Sequence, residues 1–173
     1  MKRIIALALS LMLILCVTAG LADEKTELGS VEAFSIRSII PEGYTFSLIT
    51  SSGLNLIGVL SGEEGKPTVT FSIAYNEEYA GVERFNDVDE ETVQEIKDSF
   101  LDMDDVVFED LETAYGTRLL KATDAEKDFV DIYTIYKSYE LEFVLTPGAE
   151  PLSDADVQML VDFISDMEFV PVA

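Results

Sequence analysis

The stretch DIYTIYKSYELEF, residues 131–143, constrains the fold more than any other part of this 173-residue chain. Apolar and polar residues alternate on both sides of Lys137 and Ser138, a pattern typical of two antiparallel strands joined by a two-residue turn. A turn at these two residues fixes which side chains face one another. The predicted pairs on one apolar face are Tyr136 with Tyr139, Thr134 with Leu141, Ile132 with Phe143 and Val130 with Leu145.

The opposite face of this hairpin is acidic and forms a candidate recognition face. It comprises Asp131, Tyr133, Glu140 and Glu142, with Tyr133 opposite Glu142. Neighbours on one face of a strand are about 6.5–7 Å apart, whereas Ca²⁺ takes oxygen ligands at about 2.3–2.6 Å. We therefore expect a solvated acidic face, or one covered by a helix, in preference to a preformed metal site.

Two segments switch to helical periodicity. In VDEETVQEIKDSFLD, Asp89 is the expected N-cap, and Val93, Ile96 and Phe100 form the apolar side. In LSDADVQMLVDFISDMEF, Ser153 is the expected cap, with Asp156 three residues later. The core stripe predicted for this second helix is Val157, Leu160, Val161, Ile164 and Met167.

The remaining segments read as short strands joined by turns. LNLIGVLS and PTVTFSIAY flank GEEGK as a hairpin, and a second strand pair is joined around Tyr115 and Gly116. The order is strands, helix, strands, helix, which predicts an α+β fold in which helices flank an antiparallel β-sheet.

This organisation resembles the PsbP-like superfamily, which includes bacterial DcrB-like exported proteins. The resemblance is carried by IIPEGYTF near the start, a strand pair, one helix, strands ending in IYTIYKSYELEFVL and the closing helix VQMLVDFISDMEF. It implies a PsbP-like sandwich, with a central antiparallel sheet between helices. It implies no catalytic residue and no particular function.

The first 22 residues have the order of a secretory signal peptide. Lys2 and Arg3 precede an apolar run, and small residues stand before Asp23. Cys16 raises the alternative of a lipoprotein, but Leu15 stands where a small residue is expected, so cleavage near Ala22 is preferred. We predict a signal peptide at 1–22, a flexible lead-in at 23–33 and a single domain at 34–173. The protein is expected in the bacterial envelope, the periplasm or the medium, without a transmembrane segment in its mature chain.

Composition excludes several functional classes. After removal of the first 22 residues, nine basic residues face 34 acidic ones, a formal charge of −25 that should repel nucleic acids and anionic membranes. The chain has no histidine, which excludes Ser-His-Asp systems and His-ligated metals. Only carboxylate, lysine or oxygen-ligated metal chemistry is left for an enzyme.

Two further sets of residues are candidate sites. Asp102, Asp104 and Asp105 follow the first helix, where the helix dipole disfavours negative charge, and they are a candidate site for weak Ca²⁺ binding. Salt screening in an ionic medium is the preferred explanation for them. Tyr79 and Arg84 are candidate contacts in the loop before that helix.

From these observations we expect an exported, acidic, non-enzymatic domain that binds an unknown protein or small ligand, with no cofactor. Two alternatives stay open. One is a weak divalent-cation-binding envelope protein, and the other is a carboxylate-dependent hydrolase, because two carboxylates suffice for glycoside hydrolysis.

Overall fold

A computed structural model describes residues 24–100, 106–124 and 128–172 of the chain. Within them, ten strands and two α-helices make a mostly antiparallel β structure of the α+β type. The strands are β1 (Thr26–Ser30), β2 (Phe34–Ser38), β3 (Tyr44–Ser51), β4 (Asn55–Gly62), β5 (Thr68–Tyr75), β6 (Val106–Glu112), β7 (Arg118–Asp124), β8 (Phe129–Tyr136), β9 (Tyr139–Thr146) and β10 (Glu168–Pro171). The helices are α1 (Glu90–Ser99) and α2 (Asp154–Ser165), and 3₁₀ turns occur at Glu77–Tyr79 and Phe85–Asp87.

The strands form two sheets. The larger has the order β3-β4-β5-β9-β8-β7-β6, and the smaller has the order β1-β2-β10. Every strand pair is antiparallel. The segment 23–33, expected as a flexible lead-in, contains β1. Its Leu28 and Val31 side chains are buried in the main core, which holds the segment against the rest of the domain.

Both predicted N-caps are confirmed. The Asp89 carboxylate accepts a hydrogen bond from the Thr92 N–H and begins α1. Ser153 and Asp156 bond to each other's backbone N–H in a capping box that begins α2. These side chains satisfy amides at the first turn that have no partner within the helix. The two helices lie on opposite faces of the larger sheet, because α2 packs in the main core and α1 packs in a separate apolar cluster.

The main core lies between the larger sheet on one side and α2 with the smaller sheet on the other. Phe71 is fully buried there and contacts the rings of Phe143 and Phe163. Its ring also stacks with Phe46 over Gly58, where an added Cβ would lie 2.6 Å from the Phe71 ring. Glycine at this position of β4 therefore makes room for the two rings.

The hairpin of β8 and β9 has the register that its sequence predicts. Tyr136 pairs with Tyr139, and Ile132 pairs with Phe143. Lys137 and Ser138 both have positive φ, at 50° and 65°, as the two central residues of a tight hairpin turn require. Tyr133 consequently lies opposite Glu142, on the face turned away from the main core.

Candidate functional site: an acidic cleft under helix α1

Helix α1 covers part of the second face of the larger sheet. Val93 and Ile96 of the helix join Tyr133 and Ile135 of β8 in a second, smaller apolar cluster. Phe85 is fully buried in the same cluster, with its ring edge-on to Tyr133. The acidic face of the hairpin is thus partly covered by a helix, one of the two arrangements that the sequence allows.

A cleft of about 640 Å³ remains between the helix, the sheet and the loop that precedes the helix. The sheet contributes Tyr133, Glu140 and Glu142 to its wall, three of the four candidate recognition residues. The helix contributes residues that recur at helical spacing, and the preceding loop contributes the rest. The other described residues in the wall are Ser72, Ala74, Asn76, Glu78, Tyr79, Thr92, Glu95, Ile96, Ser99 and Phe100.

The charge of the cleft has a single sign. Its described lining includes four carboxylates, from Glu78, Glu95, Glu140 and Glu142, and no Lys or Arg. Glu140 and Glu142 are half-buried, whereas Glu78 and Glu95 stand at the exposed rim. A concave site lined by one sign of charge concentrates ions of the other sign. The cleft therefore favours cations.

Hydroxyl groups orient the two inner carboxylates. The Tyr133 hydroxyl donates to Glu140 Oε1 over 2.8 Å, and the Ser72 hydroxyl donates to Glu142 Oε2 over 3.3 Å. Burial, and then the charge of Glu140, raise the pKa of Tyr133, so its hydroxyl stays protonated as a donor. Burial likewise raises the pKa of Tyr79, which neighbours Tyr133. The two carboxylates are thus held in place before any ligand arrives.

Asp131, the fourth candidate recognition residue, is buried next to this wall. Its side chain is only 3% exposed, and its Oδ1 atom has no hydrogen-bond partner among the described residues. Burial, and then the charge and hydrogen bonding of Glu142, raise the pKa of Asp131 to about 8. Asp131 is therefore mostly protonated at neutral pH, and Glu142 is the carboxylate of this pair that lines the cleft.

The two loop candidates are separated. Tyr79 is buried in the second cluster and lines the acidic cleft. Arg84 is exposed, forms no ion pair within the described residues, and lines a smaller cavity of about 230 Å³ beside Tyr136 and Phe169. Tyr79 thus belongs with the recognition face, and Arg84 does not.

The metal candidates Asp102, Asp104 and Asp105 lie outside the described residues. Within the described ranges, no group of three or more acidic side chains is arranged to hold a metal ion. The inner carboxylates each meet a hydroxyl group instead, which leaves oxygen atoms for hydrogen bonds from a ligand.

Apart from Tyr79, sequence reasoning missed the cleft residues outside the hairpin. Thr92, Glu95 and Ser99 recur at i, i+3 and i+7, which places them in one polar row beside the apolar side of α1. The spacing of these three residues could have predicted which side of α1 lines the cleft. The contribution of Ser72 depends on the pairing of β5 with β9, which brings it opposite Glu142.

Within the described residues, no helix has the length and apolar character needed to cross a membrane. Comparisons of the chain with protein-family models, with curated proteins and with solved structures gave no match. The acidic cleft is therefore the feature on which a functional argument for this chain rests.

Proposed function

We propose that this protein is an exported, non-enzymatic binding domain whose ligand is a small organic cation carrying at least one amino group. The observation that supports this most directly is the cleft under α1, with four carboxylates and no basic residue in its described lining. The signal-peptide pattern of residues 1–22 supports export.

The size and chemistry of the cleft favour an amine over a bare metal ion. About 640 Å³ falls within the range of small-molecule sites, which are about 300–1,000 Å³. An ammonium group donates up to three hydrogen bonds, and charge-assisted bonds to carboxylates are about twice as strong as neutral ones. Tyr79 and Tyr133 add aromatic side chains to the wall, which suit the aliphatic part of such a ligand.

A titration with 1,4-diaminobutane tests this proposal. Calorimetry at low salt should show binding, and the affinity should fall as NaCl screens the carboxylates. Glu140→Gln should weaken binding about tenfold, which corresponds to 1.4 kcal/mol. The matched control is Glu91→Gln, which removes the same charge from an exposed residue of α1 outside the cleft.

Two controls distinguish binding in the cleft from non-specific attraction of a cation to an acidic protein. 1,4-Butanediol has nearly the same shape without charge and should not bind. Equal binding of the diol, or equal weakening by both glutamate variants, would contradict a cation site in the cleft.

The resemblance to PsbP-like proteins is part of the same proposal. A central antiparallel sheet with α1 and α2 on opposite faces supports a PsbP-like sandwich. Members of that superfamily range from photosynthetic assembly factors to proteins of unknown role, so the resemblance implies no ligand class, and the cleft alone supports the amine.

Weak divalent-cation binding is a second candidate because Asp102, Asp104 and Asp105 follow α1 in sequence. It predicts that CaCl₂ raises the unfolding temperature more than NaCl of equal ionic strength, because a specific ion stabilises the state that binds it. Calorimetric melting curves in the two salts provide the measurement. Equal shifts would leave only screening and end this alternative.

The carboxylate-dependent hydrolase alternative is supported by one pair, Asp131 with Glu142. A carboxyl group kept protonated beside a carboxylate is the combination that glycosidases use. Asp131, however, is 3% exposed and lies outside the cleft lining, so its proton does not face a bound substrate. We therefore place binding ahead of hydrolysis.

A further inference from the structure

The first hairpin of the larger sheet differs in charge from the rest of the chain. Residues 44–62, which span β3, its turn and β4, contain no Asp, Glu, Lys or Arg, although the chain carries 34 acids and 11 bases. Neutral stretches of this kind are expected inside a core. This one includes an exposed edge of the sheet, because β3 is the terminal strand in the order.

Apolar side chains are exposed at the same place. Leu48 is 47% exposed, Ile49 63% and Leu54 56%. Tyr75, at 43%, adjoins them, because its N–H donates to the Leu54 carbonyl. These four are a majority of the seven large apolar side chains that are exposed within the described residues. Concentrated apolar exposure of this kind marks interaction surfaces.

The two edges of the larger sheet are protected differently. The opposite edge strand, β6, carries Glu109, Asp110 and Glu112, and such charges discourage pairing with another strand. β3 carries no charge and has a single irregularity, between Leu48 and Thr50. The smaller sheet reaches β3 near its end, where the Ser51 hydroxyl donates to the Ser30 carbonyl. Among the described residues, the part of β3 before the irregularity pairs only with β4.

We propose that β3 of one molecule pairs antiparallel with β3 of a second copy about a twofold axis, which joins the two larger sheets into one. Free N–H and C=O groups on a strand edge are satisfied by another strand, and an antiparallel edge is complementary to itself. Two copies with a formal charge of −23 each repel one another over most of their surface. The neutral hairpin is the surface at which that repulsion is weakest, so it suits a second copy.

Sedimentation velocity tests this dimer on protein produced from the full coding sequence in an exporting bacterial host. The dimer fraction should rise with protein concentration and with NaCl, because salt screens repulsion between the copies. Ile49→Asp should weaken dimerisation at least tenfold, because it places a negative charge next to the free part of β3 in both copies. The matched control is Val107→Asp on β6, which changes a residue of similar exposure, 61%, on the other edge.

A second variant tests the dimer in case Ile49→Asp fails to fold. Ser47→Asp places a charge at an exposed position in the middle of β3 and should weaken the dimer without removing an apolar contact. Far-UV circular dichroism verifies that each variant is folded. A wild-type protein that stays monomeric at every concentration and salt level would overturn the proposal. So would equal weakening by Ile49→Asp and Val107→Asp, or a different host protein held at β3 in place of the second copy.

Discussion

The two faces of the larger sheet are built from the same strands, yet one face packs into the main core and the other lines the candidate site. On one face, β8 and β9 send Ile132, Phe143 and Leu145 into a core shared with α2 and the smaller sheet. On the other face, the alternate residues Tyr133, Glu140 and Glu142 line a cleft under α1. One hairpin therefore supplies both the main core and the candidate site.

This difference shows how a small domain can hold groups that oppose folding. A buried carboxyl group such as Asp131 is costly, because burial disfavours its charged form. The apolar face offsets that cost with fully buried aromatic side chains, including Phe71 and Phe143. We therefore expect substitutions on the apolar face to act on stability, and those on the cleft face to act on pH dependence and binding.

The largest effect is expected for Phe143→Ala. The side chain is fully buried against Phe71, and truncation of such a residue costs about 3–5 kcal/mol of unfolding free energy. Val144→Ala alters the next residue of β9, which is half-buried on the cleft face, and should cost about 1 kcal/mol. Urea unfolding at pH 7 gives both values. Equal losses of unfolding free energy in the two variants would contradict the expectation that the apolar face provides most of the stability.

A smaller effect, of opposite sign, is expected for Asp131→Asn. The folded-state pKa of Asp131 is raised to about 8 from an ordinary value of 3.8, so between these pH values only the folded state holds the proton. Its stabilising contribution is full below pH 3.8 and is lost as pH rises through 8. The variant should thus be more stable than wild type at pH 8 by at least about 1.4 kcal/mol, the equivalent of one pKa unit.

The measurement for Asp131→Asn is urea unfolding at several values between pH 4 and pH 8. The gain over wild type should grow as pH rises. Asp87→Asn, at an exposed position, is the control for the removal of one negative charge from an acidic chain. If both variants gain the same stability as pH rises, the gain comes from reduced repulsion among the acidic residues in general, and the burial of Asp131 does not explain it.

The sequence was sufficient for those parts of the fold that depend on neighbouring residues. The turn at Lys137 and Ser138 and the caps Asp89 and Ser153 follow from local rules, and all of them are confirmed. The smaller sheet was not predicted, because β1 and β10 have only five and four residues. Short strands like these are stabilised by contacts distant in sequence, such as the pairing of β10 with β2.

Apart from Tyr79, the candidate site was predictable only on the wall that the hairpin forms. Alternation along the hairpin identifies Tyr133, Glu140 and Glu142, because side-chain direction in a strand repeats every two residues. The opposite wall depends on where α1 crosses the sheet, a tertiary feature that brings Glu95 towards this face. Burial of Asp131 likewise depends on what covers it, so its unusual pKa had no sequence signal.

The smallest effect is expected from removing one tyrosine hydroxyl on each face of the sheet. Because the chemical change is the same, any difference between the two variants comes from the face on which the hydroxyl lies. Tyr133→Phe removes the hydroxyl that donates to Glu140, and Tyr139→Phe removes one on the core face that donates to the Gly53 carbonyl over 3.2 Å. Each variant should lose about 1 kcal/mol of unfolding free energy, the usual net value of a hydrogen bond. Only Tyr133→Phe should also change the affinity for 1,4-diaminobutane, because only that hydroxyl orients a carboxylate of the cleft. Calorimetric titration of both variants tests this, and an equal change in affinity would place the binding site elsewhere.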